Sequence, residues 1–280
     1  MNDQGVRIAC LQMNSGNEFV ANLSVFSAMA REAAAAGAKF ILSPEYFLMM
    51  DGTGRVMREA ALDEQGEPAV SALTALAREL SVWLLAGSIT LKAGDGRMFN
   101  RSLLISSEGR VVATYDKIHM FDVTLPDGKV IRESSAYRPG EKAVLTETPW
   151  GKLGMTVCYD LRFPGLFRAL AQAGAELITV PSSFQRQTGK AHWHTLVRAR
   201  AIENECFLIA PAMCGDHPGN RQSFGHTLVI DPWGEVLAEG GESPEIVYAE
   251  IAPRRVAKVR SMIPSLDHDR PFASPGRPSE

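Results

Sequence analysis

Cysteine is scarce in this chain, and no two of its four copies, Cys10, Cys158, Cys206 and Cys214, stand in a Cys-x-x-Cys spacing. That argues against both a disulfide framework and a zinc ribbon. Long hydrophobic runs are also missing. Every apolar stretch is broken by charge or glycine well short of the roughly 20 residues needed to cross a bilayer. The start, MNDQGVRIACLQ, has no basic segment followed by an apolar core, so no secretory signal is expected and a reducing cytoplasm is the expected compartment. Charge of neither sign dominates: 29 Lys and Arg stand against 32 Asp and Glu, a formal net charge of -3. Nucleic-acid binding, which favours a basic face, is not expected.

What is present is ordinary for a globular chain: 280 residues, 45% hydrophobic and 22% charged. That length suits one large α/β domain or two smaller ones, with a substantial core. The order of apolar periods then shows two related halves. VRIACLQM reads as a strand, NLSVFSAMAREAAAAGA as a helix and KFILSPE as a strand. VSALTALARELS then reads as a helix, VWLLAGSIT as a strand, and NRSLLIS with RVVATYDK as a hairpin. From residue 152 the pattern repeats with KLGMTVCYD, PGLFRALAQAGA, ELITVPSS, HWHTLVRARAIENE, CFLIAPA and the hairpin HTLVIDPWGEVLAE. Such alternation predicts two partly parallel sheets, each with helices on one face. Stacked on their free faces, they make an α-β-β-α sandwich of two pseudo-repeated halves. No Pro/Ser-rich linker divides them, so a single domain over residues 1–280 is expected, with a C-terminal extension from about 252 to 280 whose tail, ASPGRPSE, is mobile or docks on a neighbour.

In that scheme three chemically interesting residues fall at strand ends. Cys158 in GMTVCYDLRFPG stands where an apolar run meets a charged turn. Glu45 in ILSPEYF follows a strand, and Lys117 in TYDKIHMFD ends a hairpin strand. Carboxyl ends of parallel strands are where open α/β sheets collect ligands. Taken singly, each has a plain alternative: a small core hydrophobe, a turn cap and a surface lysine.

Together, SPEYF, YDKIHMFD and GMTVCYDLRFP resemble, in order, the three catalytic motifs of the nitrilase superfamily of carbon–nitrogen hydrolases. The resemblance runs from about residue 6 to about residue 270. It implies an α-β-β-α fold, a dimer or larger homo-oligomer, no metal and no organic cofactor. It also implies a small-molecule amide substrate, with Cys158 as nucleophile, Glu45 as acid–base and Lys117 as oxyanion stabiliser. IRESSAYRPG matches the family segment that carries a second glutamate, here Glu133. These residue types suit the chemistry. An amide is a poor electrophile, and a cysteine divides its hydrolysis into two easier steps, which requires a thiolate and a nearby base. The backbone N–H of Tyr159, just after the nucleophile, is the expected second oxyanion donor.

The flanks CYDLRFP, PSSF, TGKAHWHTLVRARAIEN and MCGDHPGNRQSFGHTLVIDPWGEV resemble the Nit branch, and within it the subgroup that hydrolyses deaminated glutathione. Next is ω-amidase, which acts on α-ketoglutaramate. The resemblance implies that Arg162 clamps a substrate carboxylate and that Phe184 and Thr188 contact substrate; a salt bridge that fixes the loop is the other reading of Arg162. EYFLMMDGTG, Pro211 and FQRQ depart from the branch and leave the substrate open. An N-carbamoyl amidase, an aliphatic nitrilase and a non-enzymatic interaction protein are the remaining alternatives. HWH at 192–194 is not expected to bind metal, because positions two apart do not share a helix face. Cys10, Cys206 and Cys214 are expected to be packing residues.

Overall fold

The two halves stop their first helices by the same local device. In the computed structural model, which describes residues 5–125, 128 and 130–273, helix Phe19–Ala35 ends before Gly37 and helix Pro164–Gln172 before Gly174. Both glycines lie in the left-handed region, at φ +90° and +100°. Beyond them the chain folds back, Ala38 N–H onto Ala33 O at 3.1 Å and Ala175 N–H onto Leu170 O at 3.0 Å. Glycine takes this conformation without a Cβ penalty, so the echo AAAAGA and LAQAGA is a repeated helix stop.

Each half builds a six-stranded sheet. In the first, Val6–Gln12, Phe40–Leu42 and Trp83–Lys92 run parallel, followed by antiparallel Met98–Ile105 and Val111–Asp116. In the second, Gly151–Met155, Leu177–Thr179 and Phe207–Ala210 run parallel, followed by antiparallel Leu228–Ile230 and Val236–Glu239. An antiparallel edge completes each: Glu245–Ile251 returns from the second half to pair with Val6–Gln12, and Val144–Thr148 pairs with Gly151–Met155.

Strand alternation sorts the side chains. Ile8, Cys10, Phe40 and Leu42 pack with Leu153, Met155 and Leu177 between the sheets, whereas Ala9, Leu11 and Ile41 meet Phe26, Ala30, Leu73 and Leu76 from the helices. Each large side chain so buried is worth about 1.5–3 kcal/mol. The second half's helix Arg186–Asn204 carries Trp193, Val197 and Ala201 into its own sheet.

Several elements escape the sequence reading. Helices Gly54–Glu59 and Arg254–Met262 were not expected, and helix Arg186–Asn204 begins ahead of the expected HWH stretch. Two ribbons, Asp122–Thr124 with Val130–Arg132 and Cys214–His217 with Arg221–Phe224, are separate two-stranded sheets. The extension starts packed rather than loose: Val256 and Val259 are buried, and Arg255 Nε donates to Asp231 Oδ2 at 2.8 Å. Residues 274–280, most of the expected tail, lie outside the described residues.

Candidate active site

Cys158 opens a short 3-10 turn, Cys158–Arg162, right after the first strand of the second half. Its φ is +45°, a conformation that is uncommon for a residue with a side chain and costs energy the surroundings must supply. Those surroundings are specific. Cys158 N–H donates to Pro181 O at 3.0 Å. Asp160, fully buried, accepts from Val157 N at 2.8 Å, from Tyr115 OH at 2.6 Å and from His119 N at 3.0 Å. One carboxylate therefore ties the cysteine turn to both flanks of Lys117.

Glu45 is placed by a close backbone crossing. A Cβ on Gly87 would lie 2.0 Å from Ser43 O and 2.4 Å from Pro44 O, so only glycine lets the neighbouring strand pass. The Glu45 side chain is 1% exposed and that of Lys117 2%. Glu45 Oε1 accepts from Lys117 Nζ at 3.0 Å and Asn100 Nδ2 at 2.8 Å, while Oε2 accepts from Ser183 N–H at 2.9 Å. Lys117 Nζ also donates to Glu133 at 2.9 and 3.0 Å. Glu133 is fixed in turn by Tyr46 OH at 2.9 Å and by Phe121 N–H.

The protonation pattern follows from these contacts. Burial pushes the Glu45 carboxyl up, but the charges of Lys117 and Arg221 and hydrogen bonds from Cys158 and Lys117 outweigh it and hold it below the usual range. Burial pulls Lys117 down, and the carboxylates of Glu133 and Glu45 more than reverse this, so the ammonium stays charged. Burial and the neighbouring Glu45 carboxylate push the Cys158 thiol well up, against the opposing pull of Lys117. The thiol is thus held towards its neutral form beside a carboxylate held towards its ionised one. A base so arranged can take the proton as sulfur attacks.

These groups line one cavity of about 310 Å³, with Tyr46, Tyr159, Ser183, Phe184, Thr188 and Arg221 among its other walls. The structure brings Glu45, Lys117, Cys158, Glu133, Tyr159, Phe184 and Thr188 together. The fold, the cavity and the ordered motifs meet in one finding: residues 7–261 match the carbon-nitrogen hydrolase family. The chain belongs to that family.

It is 38% identical over 271 residues to the deaminated glutathione amidase of Yersinia enterocolitica, covering 95% of this chain and 94% of that one. Identity to the human deaminated glutathione amidase is 40%, over 94% of this chain and 82% of the relative. The crystal structure of the C. elegans NitFhit protein superposes with a TM-score of 0.90 at 35% identity, over 96% of this chain and 66% of that longer one. Saccharomyces cerevisiae Nit3, of branch 10 of the nitrilase superfamily, gives a TM-score of 0.84 at 29% identity, over 93% and 95% of the two chains. The protein is a hydrolase of carbon–nitrogen bonds on a nitrilase-superfamily fold.

Within this carbon-nitrogen hydrolase one expected contact moves. Arg162 is not among the cavity-lining residues. Its guanidinium carbon lies 5.3 Å from the Phe184 ring centre and 6.0 Å from that of Tyr159, and Nη2 is 3.3 Å from His192 Nδ1. It supports two walls of the cavity and does not face into it, because the turn carries its side chain towards helix Arg186–Asn204. Sequence reasoning missed Asn100, Ser183 and Arg221, which sit on separate segments with no spacing signal to Cys158. Arg221, which lines the cavity, stood in a quoted stretch, HPGNRQSFGH, without a local reason to prefer it.

Elsewhere, His192 and His194 take different partners. His194 Nε2 and His226 Nδ1 each lie 2.9 Å from Glu239 Oε1. These three side chains offer ligand atoms within 4.8 Å of one another, but both imidazoles already spend a nitrogen on the same carboxylate oxygen. Cys10, Cys206 and Cys214 are buried away from the cavity lining, and burial pushes the last two thiols up to about 12.

A buried histidine stands behind Ser183. His217 Nδ1 is 2.9 Å from Ser15 O, and Nε2 is 2.9 Å from Ser223 Oγ. Burial, with a smaller effect from the Arg221 charge, lowers its pKa to about 4. The unfolded chain, with an ordinary histidine near 6.5, binds the extra proton first on acidification. Stability contributed by neutral His217 is therefore complete above about pH 6.5 and falls as the pH drops towards 4, by about 3 kcal/mol. Thermal unfolding of wild type and His217→Gln across that window should show a shallower acid slope in the variant. Parallel slopes would remove His217 from the acid response.

Proposed function

We propose that this carbon-nitrogen hydrolase is a cysteine-dependent amidase that acts through a thioester on Cys158. The observation that carries the reading is the convergence of Cys158, Glu45 and Lys117 on one cavity. Glu45 takes the thiol proton as sulfur bonds to the amide carbonyl carbon. The oxyanion meets the Lys117 ammonium and the backbone N–H of Tyr159. Glu45 returns its proton to the departing nitrogen, the C–N bond breaks and the amine leaves. A water then gives a proton to Glu45 and its oxygen to the thioester, and collapse returns the proton to sulfur. Glu133, which also accepts from Lys117, helps hold it in place.

The substrate is a small carboxylate-bearing amide, deaminated glutathione. Supporting this, relatives at 38% and 40% identity carry the name deaminated glutathione amidase over nearly the whole chain. The same reading makes the protein cytoplasmic, in keeping with four unpaired cysteines, and a homodimer or larger, which would cover the exposed Ile202, Trp233 and Leu237.

The test is product analysis by mass spectrometry after incubation with deaminated glutathione, α-ketoglutaramate and an aliphatic nitrile. Release of cysteinylglycine and α-ketoglutarate from the first, faster than ammonia release from the second, is expected. Faster turnover of α-ketoglutaramate would make it an ω-amidase. Hydrolysis of the nitrile alone would end the amidase reading.

A further inference from the structure

We propose that Arg221, and not Arg162, binds the carboxylate on the acyl side of the substrate; this rests on the amidase reading above. Arg221 begins the second strand of the Cys214–His217/Arg221–Phe224 ribbon and lines the cavity together with Cys158, Lys117, Phe184 and Thr188. Several other partly buried arginines meet a carboxylate: Arg101 with Asp116 at 2.7 Å, Arg200 with Glu203 at 2.8 Å and Arg255 with Asp231 at 2.8 Å; Arg162 and Arg260 meet a histidine and a backbone carbonyl instead, and neither lines the cavity. Arg221 meets no carboxylate among the described residues. Its Nη2 donates to Ser183 O at 2.9 Å and reaches Ser183 Oγ at 3.4 Å, while its buried Nε has no hydrogen-bond partner. A guanidinium withdrawn from water without a paired anion is costly, and a buried donor without an acceptor adds to that cost. Lys117 cannot serve an anionic substrate in the same way, because Glu45 and Glu133 already share its charge. Arg132 also lines the cavity but is exposed to water, so Arg221 is the partly buried cavity cation left for an incoming carboxylate, and a guanidinium can hold one with two parallel hydrogen bonds.

Its position is fixed by a hydrogen-bond chain with only one consistent direction. Ser15 O can only accept, so His217 carries its proton on Nδ1. Nε2 of the neutral ring must then accept, from the Ser223 hydroxyl. With that proton committed, the Ser183 hydroxyl donates to Ser223 Oγ at 2.9 Å. The Ser183 oxygens are left to receive Arg221, while Ser183 N–H holds Glu45. One residue thus sets the guanidinium and the acid–base carboxylate at a constant separation. An acyl chain anchored at Arg221 would present its amide carbonyl to Cys158 with little further ordering, which is how positioning lowers a barrier.

The alternative role for Arg221 is to tune Glu45, whose carboxyl its charge helps hold down. The two are separated by comparing 4-carbamoylbutanoate with its methyl ester, the same amide with and without the anion. For Arg221→Met, kcat/KM on the acid is expected to fall about 30- to 5,000-fold, at least tenfold more than on the ester. Arg221→Lys should recover part of the loss on the acid, since an ammonium lacks the planar fork. Arg162→Met should lower acid and ester together. Equal losses on acid and ester in Arg221→Met would overturn the proposal, as would a collapse of the acid-to-ester ratio in Arg162→Met alone. Binding gives a readout independent of turnover. Glutarate titrated calorimetrically into Cys158→Ala and into Cys158→Ala/Arg221→Lys should bind at least tenfold more weakly to the second, and equal affinities would refute the clamp. If wild-type enzyme hydrolyses neither substrate, the amidase reading fails, while the glutarate titration still decides what Arg221 binds.

Discussion

Cys158→Ala is expected to abolish turnover and keep the fold. The side chain is small, and truncating it should cost about 1 kcal/mol, the ordinary scale for a point substitution. The features that hold the turn are backbone and Asp160 contacts: Cys158 N–H on Pro181 O, and Asp160 on Val157, Tyr115 and His119. None of them uses the thiol. No other cysteine can substitute, since Cys10, Cys206 and Cys214 do not line the cavity. Wild-type enzyme mixed rapidly with deaminated glutathione and quenched in acid should carry the acyl group on Cys158, seen as added mass on its peptide. Cys206→Ala should retain activity. Wild-type rates in a folded Cys158→Ala variant would sink the nucleophile assignment.

The second large effect separates Glu45 from Lys117. Glu45→Gln preserves shape and can still accept from Lys117 and Asn100 on one side. On the other, its amide N–H would face the Ser183 N–H that now donates to Glu45 Oε2. Loss of the base should lower kcat by about 10²–10⁴, with both acylation and thioester hydrolysis slowed in single-turnover measurements. Lys117→Met should cost at least the roughly 10²–10³ seen when an oxyanion donor is removed. It has a further signature. Lys117 is the largest of the charges holding the Glu45 carboxyl down, so without it that carboxyl titrates higher. In wild type the acid limb of kcat/KM, where the base becomes protonated and activity is lost as pH falls, should lie below the ordinary carboxylate range. In Lys117→Met it should move to higher pH. Stability should also fall by about 3–5 kcal/mol, because two buried carboxylates lose their shared cation. A folded Lys117→Met enzyme with an unmoved acid limb would show that Lys117 does not set Glu45.

Much of the frame is legible in the sequence because its causes are local. Period two marks strands, period 3.6 marks helices, and glycine after an alanine-rich run marks a left-handed stop. The same order of elements in both halves is then enough to imply stacked sheets. Glu45, Lys117 and Cys158 are legible for a related reason. Each comes within three residues of a strand end; Glu45 and Cys158 follow the carboxyl ends of parallel strands, where open α/β sheets collect ligands, and Lys117 follows the last strand of the first half's hairpin. The ribbons are not legible, since their short strands are partly exposed and polar and carry no continuous apolar run, unlike the equally short Phe40–Leu42 and Leu177–Thr179.

The residues that only the tertiary structure decided are those whose meaning depends on what faces them. Arg162 and Arg221 are alike as letters. One is turned onto Phe184 and His192, and the other is brought to the cavity by a ribbon whose register pairs it with His217. The protonation of Cys158 is similar. A cysteine near a lysine and a glutamate suggests a thiolate, but the burial of the thiol and its contact with the Glu45 carboxylate set the balance towards the neutral form. Sequence by itself determined the repeated helices and strands of the two halves and their order, because helix stops and strand periods are properties of a few consecutive residues. Which side chains share a cavity, and in which charge state, was left to the packing of distant segments, because desolvation and charge–charge energy depend on separations through space and not along the chain.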